Sequence, residues 1–355
     1  MRSPDFTNLL RVLECRKPTR PTLFEFFMNG PLYQYLAGVT QIPGDALGHA
    51  KVEIQAFYRA GYDYATSNGL RRGTMHIPRG TRKQLSSISL NKGSLISDRE
   101  SFENFKWVEM AECDYSQYEE IGPLLPEGMK IVAHGPGGVL ENAVALVGYE
   151  SLCIMSFEDP GLLQDIFDGI GARLLAHYEQ CLQFDTVGGI IGNDDWGFNT
   201  QTMLSPADME KYVFPWHRKI VAAAHKANKP AVLHSCGNLA DVMDVIIDDI
   251  GYDGKHSFED KIQPVEDAYG EYGGRIAIMG GIDMDFVCRK SPEQIRRRCE
   301  NMLRRAAEKG GYALGTGNSV PEYVPEENYF AMIETAVPRG NRNPRPCAAE
   351  SLPAR

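Results

Sequence analysis

The stretch KPAVLHSCGNLADVMDVI, residues 229–246, contains the pattern on which the fold assignment depends. A short apolar run over 230–236 breaks at Gly237, and the amphipathic segment that follows is typical of a helix. An imidazole, His234, and a thiol, Cys236, lie two residues apart just before the break. The stretch therefore reads as a strand, a turn and a helix, with polar side chains at the end of the strand.

Eight short runs of this kind occur in the chain, and amphipathic helical patterns separate most of them. They are nearly continuous in apolar residues, which is typical of buried parallel strands. The runs cover 22–27, 62–66, 130–135, 187–194, 230–236, 252–257, 275–283 and 311–318. Strand–helix alternation repeated about eight times predicts an α/β fold, and the count favours a (βα)8 TIM barrel over an open doubly wound sheet.

The interval 67–129 interrupts this alternation and is rich in Arg, Lys, Ser and Gly. We predict an insertion after the second predicted strand, with a hairpin over the barrel mouth and a helix around 101–111. A hydroxyl followed by proline, at Ser205 and at Ser291, predicts the start of two later helices. We expect a single barrel domain over 1–338 and a flexible tail over 339–355.

The composition narrows the classes of function. The 355 residues carry a net charge of −10, which argues against a nucleic-acid partner and gives no reason to expect a membrane partner. Eight cysteines show no CxxC spacing, which is not the pattern of a secreted disulfide scaffold. The N-terminal residues lack the apolar core of a signal peptide, and no run approaches the roughly 20 apolar residues of a membrane span. We therefore expect a cytoplasmic protein.

Polar side chains end nearly every predicted strand, and TIM barrels carry their chemistry at that end of the sheet. We therefore predict a polar cup at the barrel mouth. The candidate catalytic residues are His134, Asp194, Asp195 and Asp283. The candidate substrate-binding residues are Asn68, Tyr149, Asn193, Trp196, His256 and Asn318.

The pair His234-x-Cys236 offers the ligands that suit Zn²⁺, an imidazole and a thiolate. A catalytic zinc has three protein ligands, so the third has to come from another strand. The alternative is a buried thiol beside a histidine that bonds to a backbone carbonyl. Adjacent acids point in different directions, so we expect one of Asp194 and Asp195 to face the cup as a metal ligand, an orienting group or a base. The alternative for these two is an Asx-type turn, and Trp196 is either a contact for an aromatic ligand or a packing residue.

Other catalytic motifs are missing from the sequence. It contains no Gly-x-Ser-x-Gly elbow, no HExxH and no phosphate-binding glycine loop with its lysine. These absences disfavour hydrolase and nucleotide-dependent activities.

With these residues in view, the chain resembles the uroporphyrinogen decarboxylase-like superfamily from about residue 20 to 335. The resemblance implies a (βα)8 barrel. It rests on four segments, GNDDWGFNTQTMLSPADMEKYVFPWHRKIV at 192–221, HSCGNL at 234–239, GGID at 280–283 and GTGNSVPEYVPEENY at 315–329.

The superfamily has two main branches, and the sequence resembles one of them more than the other. True decarboxylases carry an arginine motif of the kind MRQAGRY that binds substrate carboxylates, whereas the matching region here, TLFEFFMNGPLY, has Glu25 and no arginine. An acid there would repel a polyanionic porphyrinogen. The other branch moves methyl groups to or from a corrinoid on a partner protein and holds zinc with a His-x-Cys pair, which His234 and Cys236 match. Thiol-methylating members add a cysteine in a GCG segment, where this chain has Asn318 nearby.

The resemblance therefore implies a methyltransferase that demethylates a small methoxylated donor, aromatic compounds included, and passes the methyl group to a corrinoid on a partner protein. It implies a zinc ion held by His234, Cys236 and a carboxylate such as Glu25, Asp194 or Asp283, of which we assign Glu25. Members often form dimers, so we expect a homodimer. The alternative activity is cofactor-free decarboxylation of a small or aromatic acid, and a third alternative is a barrel that only binds a ligand or a protein.

Overall fold

The structure is a computed structural model that describes residues 2–70 and 94–337. In these residues, seven parallel strands form one sheet whose spatial order follows the chain. Each strand pairs with its neighbours in sequence, and the register is continuous except for one shift at Ile131/Val132 in the second strand. The strands are β1 Tyr64–Ser67, β2 Lys130–His134, β3 Val187–Asn193, β4 Ala231–His234, β5 Gly254–His256, β6 Ala277–Met279 and β7 Tyr312–Ala313.

The segment 22–27, predicted as the first strand, lies between the two edges of this sheet. Leu23 forms a parallel bridge with Leu314, just after β7. On the other side, the hydroxyl of Thr66 in β1 donates to the carbonyl of Phe26 at 3.0 Å. The sheet therefore curls towards closure through this segment, and the prediction of an α/β, TIM-barrel-like fold is confirmed.

Helices separate the strands and cover the outside of the sheet. The α-helices are α1 Thr7–Leu13, α2 Gly30–Ala37, α3 Ala46–Ala60, α4 Arg99–Glu103, α5 Gln117–Ile121, α6 Val139–Val147, α7 Tyr149–Glu158, α8 Pro160–Cys181, α9 Pro206–Asp208, α10 Phe214–Lys226, α11 Val265–Tyr272, α12 Met284–Arg289, α13 Pro292–Ala306 and α14 Glu326–Ile333. Short 3₁₀ turns lie at Met110–Glu112, Gly122–Leu124 and Ala240–Val242, and π-helical turns lie at Met209–Val213 and Val245–Ile250.

The predicted helix starts are confirmed at both Ser-Pro sites. Ser205 Oγ accepts from Asp208 N at 3.1 Å. Ser291 forms a capping box, in which Oγ accepts from Gln294 N and Gln294 Oε1 accepts from Ser291 N. Each proline occupies the first helical position, where its missing N–H costs no hydrogen bond.

The interval after β1 differs in part from the prediction. The helix expected around 101–111 ends at Glu103, because Phe105 and Trp107 pack edge to face and the Trp107 ring lies against α8 at Gly169. The predicted hairpin falls largely on residues 71–93, which lie outside the described residues. The predicted tail, 339–355, lies outside them as well.

The register of the central strands brings the ends of β3, β4 and β5 together. Asn193 pairs with His234, and His234 pairs with His256. Three polar side chains therefore stand in one row at the carboxyl edge of the sheet. Among the described residues no single helix is long and apolar enough to cross a membrane. Helices α6 and α7 taken together have the length and composition of a span, but they are bent at 93° to each other.

Candidate metal centre

Asp195, His234 and Cys236 form a cluster at the carboxyl edge of the sheet. One ligand atom from each lies within 4.8 Å of the other two. His234 ends β4, while Asp195 and Cys236 lie in the loops that follow β3 and β4. We refer to these three residues as the metal-ligand cluster.

A close contact between two loops holds the acid against the thiol. Gly237 has φ +87°, and a Cβ built on it would lie 2.2 Å from the backbone of Gly197, so only glycine fits there. Gly197 N donates to Cys236 O at 3.2 Å, and Cys236 N donates to Asp195 Oδ1 at 2.9 Å. The glycine contact therefore sets the position of Asp195 over Cys236.

His256 determines which nitrogen of His234 is free. The two Nδ1 atoms lie 2.7 Å apart, and His256 Nε2 lies 3.0 Å from the carbonyl oxygen of Thr316. A carbonyl only accepts, so His256 carries its proton on Nε2 and accepts at Nδ1. His234 then donates from Nδ1, which leaves the lone pair on Nε2. Burial lowers the pKa of His256 to about 3 and that of His234 well below 6.5, so both rings are neutral.

Glu25 lies behind this chain of hydrogen bonds, outside the metal-ligand cluster. Its carboxyl group is fully buried, accepts from Thr316 N at 2.8 Å and contacts the Thr316 hydroxyl at 2.6 Å. That hydroxyl also contacts the carbonyl of Asn318, and its one proton cannot serve both. Burial raises the pKa of Glu25 to about 8, and a proton on the carboxyl satisfies both contacts. A neutral, enclosed acid gives no reason for a polyanion to be repelled, so the sequence argument against such a substrate is not supported.

The thiol of Cys236 is surrounded by hydrogen-bond donors. Asn318 Nδ2 donates to its sulfur at 3.2 Å, and Ser257 Oγ donates at 3.6 Å. Burial, with a smaller contribution from Asp195, raises the pKa of the thiol to about 12. Without a cation the group is therefore a thiol at neutral pH.

Asp194 belongs to a different cluster from Asp195. It is fully buried, and its two oxygens accept from Leu140 N at 3.0 Å and Glu141 N at 2.9 Å, at the start of α6. His217 Nε2 lies 3.0 Å from Oδ2, and His217 Nδ1 lies 2.7 Å from the hydroxyl of Tyr252. We refer to Asp194, His217 and Tyr252 as the buried brace, because their polar groups bond to one another and to a helix terminus.

Two further candidate catalytic residues, Asp283 and His134, make contacts that stabilise the fold. Asp283 caps α12 by accepting from Phe286 N at 2.9 Å, and it also accepts from Asp260 N at 3.0 Å. His134 ends β2 and lies edge-on to Phe26 and Phe27, with ring centroids 5.4 and 5.0 Å away. Burial lowers the pKa of His134 to about 4.

The remaining candidate substrate residues are spread over the molecule. Asn68 is exposed and closes its own turn by accepting from Leu70 N. The Tyr149 hydroxyl donates to the carbonyl of Met203 at 2.6 Å. Trp196 is buried in packing contacts, and Asn193 stands beside His234. Trp196 Nε1 and Asn193 Oδ1 are both buried without a hydrogen-bond partner in the described part of the chain. Asn193 joins His256 and Asn318 near the metal-ligand cluster, and the backbone of Trp196 adjoins it through a hydrogen bond from its N–H to Ser235 Oγ at 3.0 Å.

Comparison with known proteins supports the superfamily suggested by the motifs. The uroporphyrinogen decarboxylase (URO-D) family profile matches residues 132–337, which include all of the metal-ligand cluster. The chain belongs to the uroporphyrinogen decarboxylase family. A uroporphyrinogen decarboxylase from Anaeromyxobacter dehalogenans (strain 2CP-C) is 24% identical over 203 residues, 56% of this chain and 55% of the relative. One from Carboxydothermus hydrogenoformans is 28% identical over 136 residues, 37% and 36% of the two chains.

The chain spans about half the length of the first of these curated relatives and less of the second. Among solved structures, a methyltransferase from Methanosarcina mazei has the same fold, with a TM-score of 0.66. It is 16% identical in sequence, and the match covers 93% of this chain and 97% of that one. The likeness at this identity establishes the shared fold.

Three residues near the site were not indicated by the sequence. His217 lies on the buried face of α10 and contacts Asp194, 23 residues earlier in the chain. A lone histidine in an amphipathic helix does not indicate such a distant partner. Ser257 and Lys255 flank His256 in the segment YDGKHS. A lysine inside a buried strand was the available signal for Lys255, because lysine is almost never buried without a reason.

The donor set of the metal-ligand cluster fits zinc. Two ligands of one zinc ion lie within about 4.4 Å of each other, the sum of their metal–ligand distances, and the cluster's 4.8 Å limit approaches that value. Imidazole nitrogen, thiolate sulfur and carboxylate oxygen are all zinc ligands, and three protein ligands leave the fourth position open. His256 supplies the outer hydrogen bond that a zinc-bound histidine usually makes. Asp195 therefore replaces Glu25 as the carboxylate in the proposal below.

Proposed function

We propose that this protein transfers a methyl group from a small methoxylated donor to a corrinoid carried by a partner protein. Asp195, His234 and Cys236 would hold a zinc ion at the barrel mouth. The observation that carries the proposal is the convergence of these three side chains, with the free nitrogen of His234 selected by His256. A methyltransferase that shares the fold over nearly its full length supports the same reaction class.

The residues around the cluster suggest how the donor is held. Zinc bound there would supply a Lewis acid for the ether oxygen of the donor. The ring of Phe26 lies 4.8 Å from that of His234, and with Phe27 it forms an apolar wall beside His134. This wall favours an aromatic donor. The buried Oδ1 of Asn193, which has no hydrogen-bond partner within the described residues, would accept a hydrogen bond from a hydroxyl group on the donor.

The proposal is tested by methyl transfer to free cob(I)alamin from a panel of methoxylated compounds, aromatic and aliphatic. We expect turnover with zinc-loaded protein and none with the Cys236→Ser variant. Cys288→Ser is the matched control, since Cys288 is also half-buried but lies outside the cluster. Folded, zinc-loaded protein that turns over no member of the panel would contradict the proposal.

The names of the sequence relatives support a second candidate, cofactor-free decarboxylation of a small or aromatic acid. This activity would survive removal of metal by a chelator, whereas methyl transfer would not. Carbon dioxide release from a panel of acids, measured before and after chelation, separates the two. We also propose that the protein is a cytoplasmic homodimer, and sedimentation velocity measures its oligomeric state.

A further inference from the structure

A small cavity lies behind the metal-ligand cluster, between the ends of β4 and β5 and the segments that follow them. Its volume is about 140 Å³, and its lining includes Gly237, Met243, Phe258 and Glu259. Ser257 separates it from the cluster, because this residue lines the cavity and also donates to Cys236. None of the three metal-ligand residues lines the cavity, so it is a separate site.

Lys255 is the cation of this cavity. Side chains alternate along a strand, so Lys255 projects from β5 on the face opposite to His256, towards the surrounding helices. The residue is 3% exposed and lines the cavity. Its ammonium group lies 4.1 Å from the centroid of the Phe258 ring and donates to the carbonyl of Ser257.

Among the described residues, no carboxylate lies within ion-pair distance of the ammonium group of Lys255. It has three N–H donors, and over residues 2–70 and 94–337 the Ser257 carbonyl is its one hydrogen-bond acceptor. Glu259 and Asp195 attract it only from beyond ion-pair distance. A buried charge without a counter-ion in direct contact is costly, and the attraction of these acids and the contact with Phe258 offset only part of that cost. A cavity at the same place gives room for a ligand that would supply the missing charge.

We propose that this cavity binds the carboxylate group of a small molecule, with Lys255 as its counter-ion. Glu259 lines the same cavity, and Asp195 is close enough to act electrostatically on Lys255, so a singly charged anion is favoured over phosphate. Burial lowers the pKa of Lys255 only to about 8, which leaves the ammonium form in the majority at neutral pH. The inference does not depend on zinc or methyl transfer, so it stands or falls separately from the proposed function.

Calorimetric titration of chelator-treated protein at pH 7 tests the proposal, with acetate and benzoate as probes and acetamide and benzamide as neutral matches. We expect one carboxylate to bind per chain and the amides not to bind. Lys255→Met should weaken carboxylate binding about tenfold or more, because a hydrogen bond to a charged group is lost. Glu259→Gln should strengthen it by removing a like charge.

Controls separate a lost site from a lost fold. Lys255→Arg keeps the charge and should retain binding, while Lys261→Met, on an exposed lysine nearby, should leave binding unchanged. Thermal melting checks that Lys255→Met is folded. Equal binding of amides, unchanged binding by folded Lys255→Met, tighter binding of inorganic phosphate than of acetate, or no binding by the wild type would each overturn the proposal.

Whether the carboxylate belongs to the methyl donor or to a free acid is a separate question that rests on the proposed function, and kinetics distinguishes the two sources. If it belongs to the donor, Lys255→Met raises KM for 3-methoxybenzoate and leaves KM for 3-methoxybenzamide unchanged. If it belongs to a free acid, added acetate changes turnover of both donors in the wild type but not in Lys255→Met. Either result supports the carboxylate site.

Discussion

Asp194 and Asp195 are adjacent in the chain, yet the buried brace and the metal-ligand cluster to which they belong differ in what their polar atoms contact. In the brace, a hydroxyl, an imidazole and a carboxylate form a closed chain that ends on two backbone N–H groups of α6. In the cluster, His234 makes its hydrogen bond through Nδ1, and Asp195 through Oδ1. A histidine beside an acid is therefore not, by itself, evidence of a reactive or metal-binding site. Such evidence comes from ligand atoms that converge on one point with lone pairs not used in hydrogen bonds.

The first prediction is that substitution of the two acids has opposite effects on stability and on zinc binding. Asp194→Asn should lower the free energy of unfolding by about 3–5 kcal/mol, because an amide nitrogen would replace an acceptor among buried N–H donors. Asp195→Asn should cost less than about 1 kcal/mol, since the side chain is half-buried, but it should abolish stoichiometric zinc binding. Urea unfolding and metal analysis of both variants give the result. The reverse order of stabilities would break the comparison.

The second prediction removes a ligand. Cys236→Ser should weaken zinc binding by more than ~100-fold, since even outer hydrogen-bond partners of a metal site contribute up to about that factor. Competition with a chromophoric chelator measures the affinity. Burial raises the pKa of the Cys236 thiol to about 12, so without metal the group is protonated at neutral pH. Zinc binds the thiolate, so its binding to the wild type should release this proton. Calorimetry in buffers of different ionisation enthalpy detects this proton, and Cys288→Ser should behave like the wild type.

The third prediction concerns the hydrogen bond behind the ligand. His256→Gln should reduce zinc affinity by ~10–100-fold, because it removes the partner that fixes the proton on Nδ1 of His234. His177→Gln is the matched control. That histidine is also fully buried and hydrogen-bonded, to Tyr115 and to the carbonyl of His134, but it lies away from the cluster. Loss of zinc affinity in both variants would show a general effect of burial rather than a positioning role for His256.

These clusters also show how far the sequence alone could lead. Short apolar runs ending in polar residues predicted the curled parallel sheet, and in-register pairing then placed the ends of β3, β4 and β5 side by side. The spacing of His234 and Cys236 identified two of the three clustered donors. Strand ends are local in sequence and common to the fold, which is why they could be predicted.

The choice of the third donor could not be predicted, because it depends on contacts between distant segments. Whether Asp194 or Asp195 faces the thiol is set by the close approach of Gly197 and Gly237. Glu25 was assigned as a ligand, but Thr316, 291 residues later, encloses its carboxyl group. Lys255 was missed because its burial depends on how the segments after β4 and β5 pack, which no local pattern reveals.

The last prediction asks whether Glu25 behaves as a neutral buried acid. Its pKa is about 8 in the folded protein, against a usual value of 4.5, so between these values the folded state holds a proton that the unfolded state has released. The stability of the wild type should therefore fall as pH rises from about 4.5 to 8, by at most ~1.4 kcal/mol per pH unit from this group. Glu25→Gln lacks this ionisation, so its stability relative to the wild type should increase with pH over the same interval and level off above about 8.

Urea unfolding of the wild type and Glu25→Gln at pH 5, 6, 7 and 8 measures this difference, and zinc affinity of the variant provides the control. Glutamine is uncharged, like the protonated acid, and keeps the contacts with Thr316, so His256 should still be held by the Thr316 carbonyl and zinc affinity should be unchanged. A difference in stability that stays constant with pH would mean that Glu25 is ionised in the folded state. A loss of zinc affinity in Glu25→Gln would mean that the acid acts on the cluster after all, which would restore part of the role that the sequence suggested.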